Sequence, residues 1–188
     1  MSLMKSNRCM VSRITSTLVL ASLCTVSAPG AGYIKFDDIN GESQAAGRID
    51  ESDVLSWSWS VVREESGETG STRTRGTPKV EDLVVTKVLD SASVKLLEAC
   101  IQGKVHPKVT LELERPGAGG AAFTYLAIEM TSVVISSYSV GGAQGEDRPT
   151  ESVSMNFDEV KVTYSLQNPD GSPGGKVETT WNIEEGTP

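Results

Sequence analysis

The stretch at residues 49–62, IDESDVLSWSWSVV, constrains the fold more than any other part of the chain. Its residues alternate with a period of two, which is the periodicity of a β-strand. One side carries two tryptophans, whose large apolar area favours burial, so we expect that side to face a core. Its members are Leu55, Trp57, Trp59 and Val61. The pattern predicts a central strand of a β-sheet.

The other side of the same strand consists of Ser56, Ser58 and Ser60. Small hydroxyl side chains are too polar to form a second core, and they offer no acid, base or nucleophile set for catalysis. We therefore expect this side to be a wall that another object approaches closely.

The N-terminus has the composition of a leader. Lys5, Arg8 and Arg13 precede an apolar run at residues 14–28, which is shorter than the roughly 20 residues that span a bilayer and ends in small residues. This pattern is typical of a secretory signal rather than a membrane anchor. We expect a leader at residues 1–30, cut after Ala28 or Gly30, and one domain at residues 31–188. A misassigned start codon is the alternative.

Charge and cysteine content exclude several classes of partner. The chain has 25 acidic and 17 basic residues, for a net charge of −8, and three of the basic residues lie in the leader. Nucleic acids and anionic membrane surfaces both require a basic patch, so we expect neither, and no stable membrane insertion. Two of the three cysteines also lie in the leader, so that Cys100 has no partner for an internal disulfide.

Residues 63–79 form a stretch rich in Gly, Ser and Thr without a run of apolar residues, which predicts a long loop. Loops of this length inside a compact domain are usually functional or disordered. Its acids precede its bases, and such a separation of charge suits docking on a partner of the same kind or a merely solvated loop. The charged residues are Arg63, Glu64, Glu65, Glu68, Arg73, Arg75 and Lys79.

One helix is predicted, capped by Asp90 or Ser91 and ended by Gly103. Its apolar side consists of residues at helical spacing, and Cys100 on that side is expected to be a buried, inert thiol. The members of the apolar side are Val94, Leu96, Leu97, Cys100 and Ile101.

The later segments read as strands with shifts of phase. Val109, Leu111 and Leu113 alternate with polar residues, while the apolar phase slips near Thr131 and again at residues 158–159, where we expect bulges. On the last strand Val177, Thr179, Trp181 and Ile183 are predicted to face inward. Seven strands and one short helix indicate a mainly β fold, either a sandwich or a small barrel, and bulged long strands favour the barrel.

Catalytic and metal-binding patterns are weak. His106 is the only histidine, and its place between a helix and Pro107 predicts a simple connector. Metal sites built on His and Cys lack ligands, and neither glycine-rich loop has a phosphate-binding ending. Scattered carboxylates are the sole support for an enzyme. We therefore expect no catalytic residue, cofactor or metal, and a chain that acts by assembling.

A series of blocks resembles the Hcp family, the tube proteins of bacterial type VI secretion. The blocks are IKFDDINGES (34–43), DVLSWSW (53–59), VEDLVVTKVLDSASVKLLEACIQGK (80–104), SSYSVGG (136–142), EDRPTESVSMNFDEVKVTY (146–164) and WNI (181–183). They cover nearly everything after Gly32 in order. The resemblance implies a compact β-barrel built from two sheets with one short α-helix at its side. It also implies a homohexameric ring that stacks into a tube, a contractile sheath, a VgrG spike, and effectors carried in the lumen.

The resemblance gives two hypotheses about sites. The loop at residues 63–79 corresponds to the family's extended loop and becomes a candidate contact between rings. The serine side, Ser56, Ser58 and Ser60, becomes a candidate for the lumen or a subunit seam. The leader departs from the family, whose members usually begin almost at the first strand. It leaves open a cytoplasmic protein secreted by its own machine, or a periplasmic or extracellular binding module without a tube role.

Overall fold

The structure, a computed structural model, describes residues 30–66, 74–145, 147–183 and 185–187. Apart from Gly30, the predicted leader lies outside these residues. The described chain contains ten strands, one α-helix and a 3-10 turn at Ala118–Gly120. The strands are β1 (Ala31–Phe36), β2 (Ser52–Ser58), β3 (Val61–Ser66), β4 (Thr74–Val80), β5 (Leu83–Val88), β6 (Val105–Pro116), β7 (Ala122–Gly141), β8 (Thr150–Asn156), β9 (Glu159–Gln167) and β10 (Pro173–Asn182). The helix α1 (Ser91–Gln102) lies between β5 and β6.

Six antiparallel strands close into a barrel in the order β7-β6-β1-β2-β5-β8, because β8 also pairs with β7. Strand β9 pairs with the first half of β7 and β10 with β9, so these two strands extend the sheet beyond the barrel. Strands β3 and β4 form a separate two-stranded sheet, here called the arm. The predicted mainly β barrel with one helix is confirmed. The prediction of seven strands is wrong, in part because the supposed loop is paired as the arm.

The long strand β7 passes from one side of the barrel to the other. Its residues 126–131 pair with β9, and its residues 134–141 pair with β8. Between them Ser132 has a φ of 53°, an uncommon conformation for a residue other than glycine. This is the bend predicted near Thr131, and the break between β8 and β9 lies at the second predicted bulge.

Most side chains of the barrel interior are apolar. The predicted inward residues of β6, Val109, Leu111 and Leu113, are all buried there. They pack with side chains from the other strands and from α1 in one cluster. Burial of this kind is the main force that stabilises such a fold.

Helix α1 begins and ends where the sequence predicts. The Asp90 carboxylate accepts a hydrogen bond from the Ala92 amide at 2.9 Å, the Asp90 amide donates to Ser93 Oγ at 2.9 Å, and Gly103 adopts a left-handed φ of 63°. This is a capping box with a left-handed C-terminal cap.

The buried side of α1 is different from the predicted one. Ala92, Ser93, Leu96 and Ala99 face the core, where their mostly small side chains let the helix approach β7 closely, and Cys100 is half-buried. Val94, Leu97 and Ile101 are exposed, which contradicts the prediction. Apolar residues occupy two neighbouring sides of this helix, and the spacing alone could not decide which side is covered.

The last strand is also only partly covered. Trp181 and Ile183 pack against the core as predicted, but Val177 and Thr179 are exposed. The reason is that β9 and β10 extend beyond the barrel, where the core cluster ends.

Candidate functional site: a hydroxyl face and a projecting arm

The apolar side of β2 is less buried than its pattern predicts. Leu55 is 57% exposed, Trp57 is 36% exposed and Val61 is 54% exposed. Trp59 packs against the core, with its ring centroid 6.0 Å from that of Phe157. The prediction that all four residues line the core is therefore wrong.

Strand pairing explains this difference. Strand β1 pairs with β2 only as far as Val54, and the register between β2 and β5 shifts between Val54 and Ser56. The second half of β2 thus leaves the closed part of the barrel. The residue sequence shows no break at that point.

The serine side of β2 is exposed and belongs to a larger surface. Ser56 lies opposite Thr86, Thr86 opposite Ser152, and Ser152 opposite Ser139. The next row across the same four strands contains Ser58, Val84, Ser154 and Ser137. Alternate residues of a strand share a face, so these rows form one surface, here called the hydroxyl face. It has no charged member, and all its side chains except Val84 carry a hydroxyl group.

Ser60 does not belong to this face. It is exposed in the segment between β2 and β3, and its carbonyl oxygen accepts a hydrogen bond from the Glu81 amide at 3.0 Å. Ser58 and Ser60 both border an open groove of about 750 Å³ that also touches Asp82 and Asn156. The three predicted serines therefore lie on the hydroxyl face (Ser56 and Ser58) and at the base of the arm (Ser60).

The arm corrects the prediction of an unpaired loop. Val61 lies opposite Val80, Arg63 opposite Pro78, and Glu65 opposite Arg75, with a register shift between Arg63 and Glu65. A two-stranded ribbon outside a larger sheet is marginally stable by itself. Contact with another surface would therefore stabilise the arm.

The predicted charged residues divide along the arm. Arg63, Glu64 and Glu65 lie on β3, and Arg75 and Lys79 lie on β4. The other two, Glu68 and Arg73, lie outside the described residues. Lys79 Nζ is 2.8 Å from a carboxylate oxygen of Glu81, so this cation already has a partner within the chain.

Asp82 attaches the base of the arm to the barrel. Its carboxylate accepts hydrogen bonds from Asn156 Nδ2, at 2.9 Å, and from Ser136 Oγ. Because Ser136 belongs to β7 and Asn156 to β8, these bonds link the arm to two strands that carry the hydroxyl face.

A buried ionic network lies beneath the hydroxyl face. Lys87 is 1% exposed, and its Nζ lies 2.9 Å from Glu151 and 2.6 Å from Asp90. The Tyr138 hydroxyl donates to Glu151 at 2.6 Å, and Ser52 Oγ donates to Asp90 at 2.6 Å. The network thus joins β2, β5, β7 and β8, the four strands of the hydroxyl face, to the cap of α1. Burial and the Glu151 carboxylate together raise the pKa of Tyr138 well above its ordinary value.

Sequence reasoning missed this network, although a signal was present. Lys87 follows Leu83 and Val85 at alternate positions of β5, and Glu151 precedes Val153 and Met155 in the same way on β8. A charged residue on an otherwise apolar side of a strand indicates a buried ion. Burial of such a residue requires a partner of opposite charge.

A second cluster secures the segment before β2 to the other side of the barrel. Arg48 forms ion pairs with Glu51, Glu112 and Glu114, and its guanidinium lies 5.2 Å from the centroid of the Tyr33 ring. Burial raises the pKa of Glu51 above its usual range, and repulsion from Glu112 adds to that effect. Arg48 thus holds together three carboxylates from two segments, Glu51 before β2 and Glu112 and Glu114 on β6.

His106 is more than a connector. It is fully buried at the start of β6, its Nδ1 is 2.7 Å from one oxygen of Asp38, and Lys104 is 2.6 Å from the other. Burial opposes ionisation of Asp38, but the hydrogen bonds from Lys104 and His106 outweigh it and lower the pKa of that carboxyl group. The imidazole anchors the turn after β1 to the chain that follows α1, which corrects the connector prediction.

Within the described residues, no three His, Cys, Asp or Glu side chains are placed to hold a metal ion. In the same part of the chain, no helix combines the length and the apolar character needed to cross a membrane.

The fold and these surfaces define a six-stranded β-barrel protein with a projecting arm and a broad hydroxyl face. The family model described as "Type VI secretion system effector, Hcp" matches residues 33–164. The protein hcp1 of Pseudomonas aeruginosa is 40% identical over 154 residues, which cover 81% of this chain and 94% of that protein. The chain belongs to the Hcp family, the tube and effector proteins of type VI secretion.

Solved structures agree with this assignment. One is described as a type six secretion system protein; it is 32% identical, has a TM-score of 0.79, and the match covers 85% of this chain and 99% of that chain. Hcp1 from Salmonella typhimurium is 26% identical, with a TM-score of 0.70 and coverage of 84% and 97%. The resemblance stated from the sequence is confirmed.

Proposed function

We propose that this chain forms a homohexameric ring, that the rings stack into a type VI secretion tube, and that it acts without cofactor, metal or catalytic turnover. Membership of the Hcp family supports the tube role. The main structural support for the proposal is the hydroxyl face, which spans four strands and contains no charged residue. The arm, a two-stranded ribbon that gains from a second surface, supports contact between rings.

The hydroxyl face is the proposed wall of the lumen. Short hydroxyl side chains offer hydrogen bonds that any folded polar surface can use, and they present no fixed charge that would hold cargo tightly. Effector proteins are therefore the proposed cargo. The role of Ser56 and Ser58 is to line the passage, and Ser60 lies where the arm leaves the barrel.

Measurement of mass in solution tests the ring directly. We expect light scattering coupled to gel filtration to give six copies, and electron microscopy to show rings with a central opening. A stable monomer at micromolar concentration would contradict the proposal.

Labelling tests the assignment of the lumen. In a background with Cys9, Cys24 and Cys100 replaced by serine, Ser58→Cys should react with a small maleimide but resist a large polyethylene-glycol maleimide once tubes form. Ser165→Cys, on β9 where the sheet extends beyond the barrel, is the matched control and should react with both. Equal protection of the two positions would exclude the hydroxyl face as the lumen wall.

Charge reversal tests the arm. Arg73→Glu combined with Arg75→Glu should leave single rings intact and weaken their stacking. Lys161→Glu with Lys176→Glu makes the same change of charge on β9 and β10 and should stack normally. Unchanged tube formation by the arm variant would refute the contact between rings.

The proposed partners are a contractile sheath, a VgrG-like spike and effectors, with export by the secretion machine itself. A second function, an exported Hcp-like binding module without a tube role, is supported by the leader-like composition of residues 1–30. N-terminal sequencing of the mature protein separates the two. A start after Ala28 or Gly30 supports export to the periplasm or beyond, and a start just before Tyr33 without a leader supports the tube protein.

A further inference from the structure

The sheet extension formed by β9 and β10 carries an uncovered apolar surface. Tyr164 lies opposite Val177 in register, Leu166 follows Tyr164 on the same face, and all three are exposed. The ring of Tyr125 meets that of Tyr164 edge to face, with 6.4 Å between centroids. We refer to these four residues together with Arg115 as the flange.

Arg115 is the unusual member of the flange. Its guanidinium lies 5.3 Å from the centroid of the Tyr125 ring and 5.6 Å from that of Phe123. Its Nε is buried without a hydrogen-bond partner, and no carboxylate of the described residues lies within ion-pair distance of it. An arginine on aromatic rings keeps its full charge and its planar array of donors. The flange therefore presents a cation without an anion, beside apolar side chains.

Helix α1 presents the opposite combination. Val94 and Ile101 are 72% and 77% exposed, and Leu97 lies between them at helical spacing. Glu98 is four residues after Val94 and three before Ile101, so it belongs to the same patch. We refer to these four residues as the outer face of α1. The Glu98 carboxylate is 2.9 Å from Lys95 Nζ in an exposed pair, which contributes little and exchanges readily for another cation.

We propose that the outer face of α1 in one copy packs on the flange of the next copy, and that Glu98 there meets Arg115. The two surfaces are complementary: their apolar side chains can pack together, and the exposed Glu98 carboxylate can pair with the Arg115 guanidinium, which has no carboxylate partner among the described residues. The two surfaces are different parts of one chain, so the contact is head-to-tail, and its repetition closes a ring when the rotation permits. This inference rests on the proposed ring and names the two surfaces that build it.

Complementation between two surface variants tests the proposal. Ile101→Asp places a charge in the outer face of α1 and leaves the flange able to bind. Val177→Asp places a charge in the flange and leaves the outer face of α1 able to bind. Both positions are exposed, so we expect both variants to fold, as checked by circular dichroism. Each alone should be monomeric. An equimolar mixture should form dimers and nothing larger, because one intact pair of surfaces remains.

Ile49→Asp is the control. Ile49 is 74% exposed and lies outside both surfaces, so this variant should assemble normally.

The outcomes separate this proposal from the proposed function. If the wild type is monomeric, the ring itself is wrong. If the wild type forms rings and both variants still do, or if Ile49→Asp is equally disruptive, the ring stands and this pair of surfaces is wrong. If Val177→Asp forms dimers with Leu55→Asp but not with Ile101→Asp, the surface that contacts the flange is the exposed part of β2 and not α1.

A charge exchange tests the predicted ion pair. Glu98→Arg should weaken assembly by about tenfold in protein concentration, which corresponds to about 1.4 kcal/mol. The combination of Glu98→Arg with Arg115→Glu should recover most of that loss. If the loss of assembly affinity in the double variant equals the sum of the losses in Glu98→Arg and Arg115→Glu, Glu98 does not contact Arg115.

Discussion

The two exposed sheet faces of the barrel place their charges in opposite ways. The hydroxyl face has no charged member, and the ions of its strands lie inside as the Lys87 network. The face formed by β1, β6, β7, β9 and β10 carries its charges outside, as in the cross-strand pairs Lys108–Glu129 at 2.6 Å and Lys161–Glu178 at 3.1 Å. The inner side of those strands contributes apolar residues such as Leu111 and Ile128 to the core. We refer to this second surface as the charged face.

The difference shows what a neutral wall requires. A charged face over an apolar interior needs no partner in the core, and its ion pairs contribute little because water screens them. Buried ions are costly and have to be paired and hydrogen-bonded. Lys87, Glu151 and Tyr138 meet that requirement with directional bonds among β5, β8 and β7. Our hypothesis is that these bonds fix the relative positions of the strands whose other side is the hydroxyl face.

The largest expected effect comes from removal of the buried cation. Lys87→Met leaves Glu151 and Asp90 without their partner in the core, and we expect a loss of about 3 to 5 kcal/mol in the free energy of unfolding. The equivalent change on the charged face, Lys161→Met, should cost no more than about 1 kcal/mol. Urea denaturation of both variants measures the contrast. Equal losses would show that the two faces do not differ in this respect.

Arg48→Met tests the intermediate case, a partly buried cation at the edge of the charged face. We expect a loss of about 2 kcal/mol at pH 7, below the range for a fully buried pair, because water reaches part of this cluster. Three carboxylates would then repel one another, and the loss should shrink as they take up protons towards about pH 4. The raised pKa of Glu51 means that the folded chain binds this proton more readily than the unfolded one, so ionisation of Glu51 lowers stability as the pH rises through that range. A loss that does not change with pH would contradict this explanation.

The sequence predicted the barrel and the helix because local rules govern both. Alternation placed Val109, Leu111 and Leu113 inside, and the capping residues Asp90 and Gly103 fixed the ends of α1. The serine pattern of β2 identified one strand of the hydroxyl face. Its other three strands come from distant parts of the chain, and only the register brings Thr86, Ser152 and Ser139 beside Ser56.

The sequence predictions failed where burial depends on which other element or copy packs against an apolar side. The apolar residues of β2, α1 and β10 were all expected in the core, yet Trp57, Ile101 and Val177 are exposed in the single chain. Periodicity identifies an apolar side but does not say whether the same chain or another copy covers it. The proposed ring would give these wrong predictions one common explanation, because another copy would cover the exposed residues, and the complementation experiment tests it.

The smallest expected effect concerns the hydrogen bond from Tyr138 to Glu151. Tyr138→Phe keeps the shape of the side chain and the Lys87–Glu151 pair, so we expect a loss of about 1.5 kcal/mol at pH 7, typical of a hydrogen bond to a charged group. The folded pKa of Tyr138 is raised, and its stabilising contribution is therefore complete below the unfolded value of about 10 and declines as the pH rises above it. The difference in the free energy of unfolding between the wild type and Tyr138→Phe should accordingly narrow at alkaline pH.

Tyr164→Phe, at an exposed tyrosine of the flange, is the control and should change stability by less than about 0.5 kcal/mol. If Tyr138→Phe behaved like this control, the ionic network beneath the hydroxyl face would not depend on Tyr138.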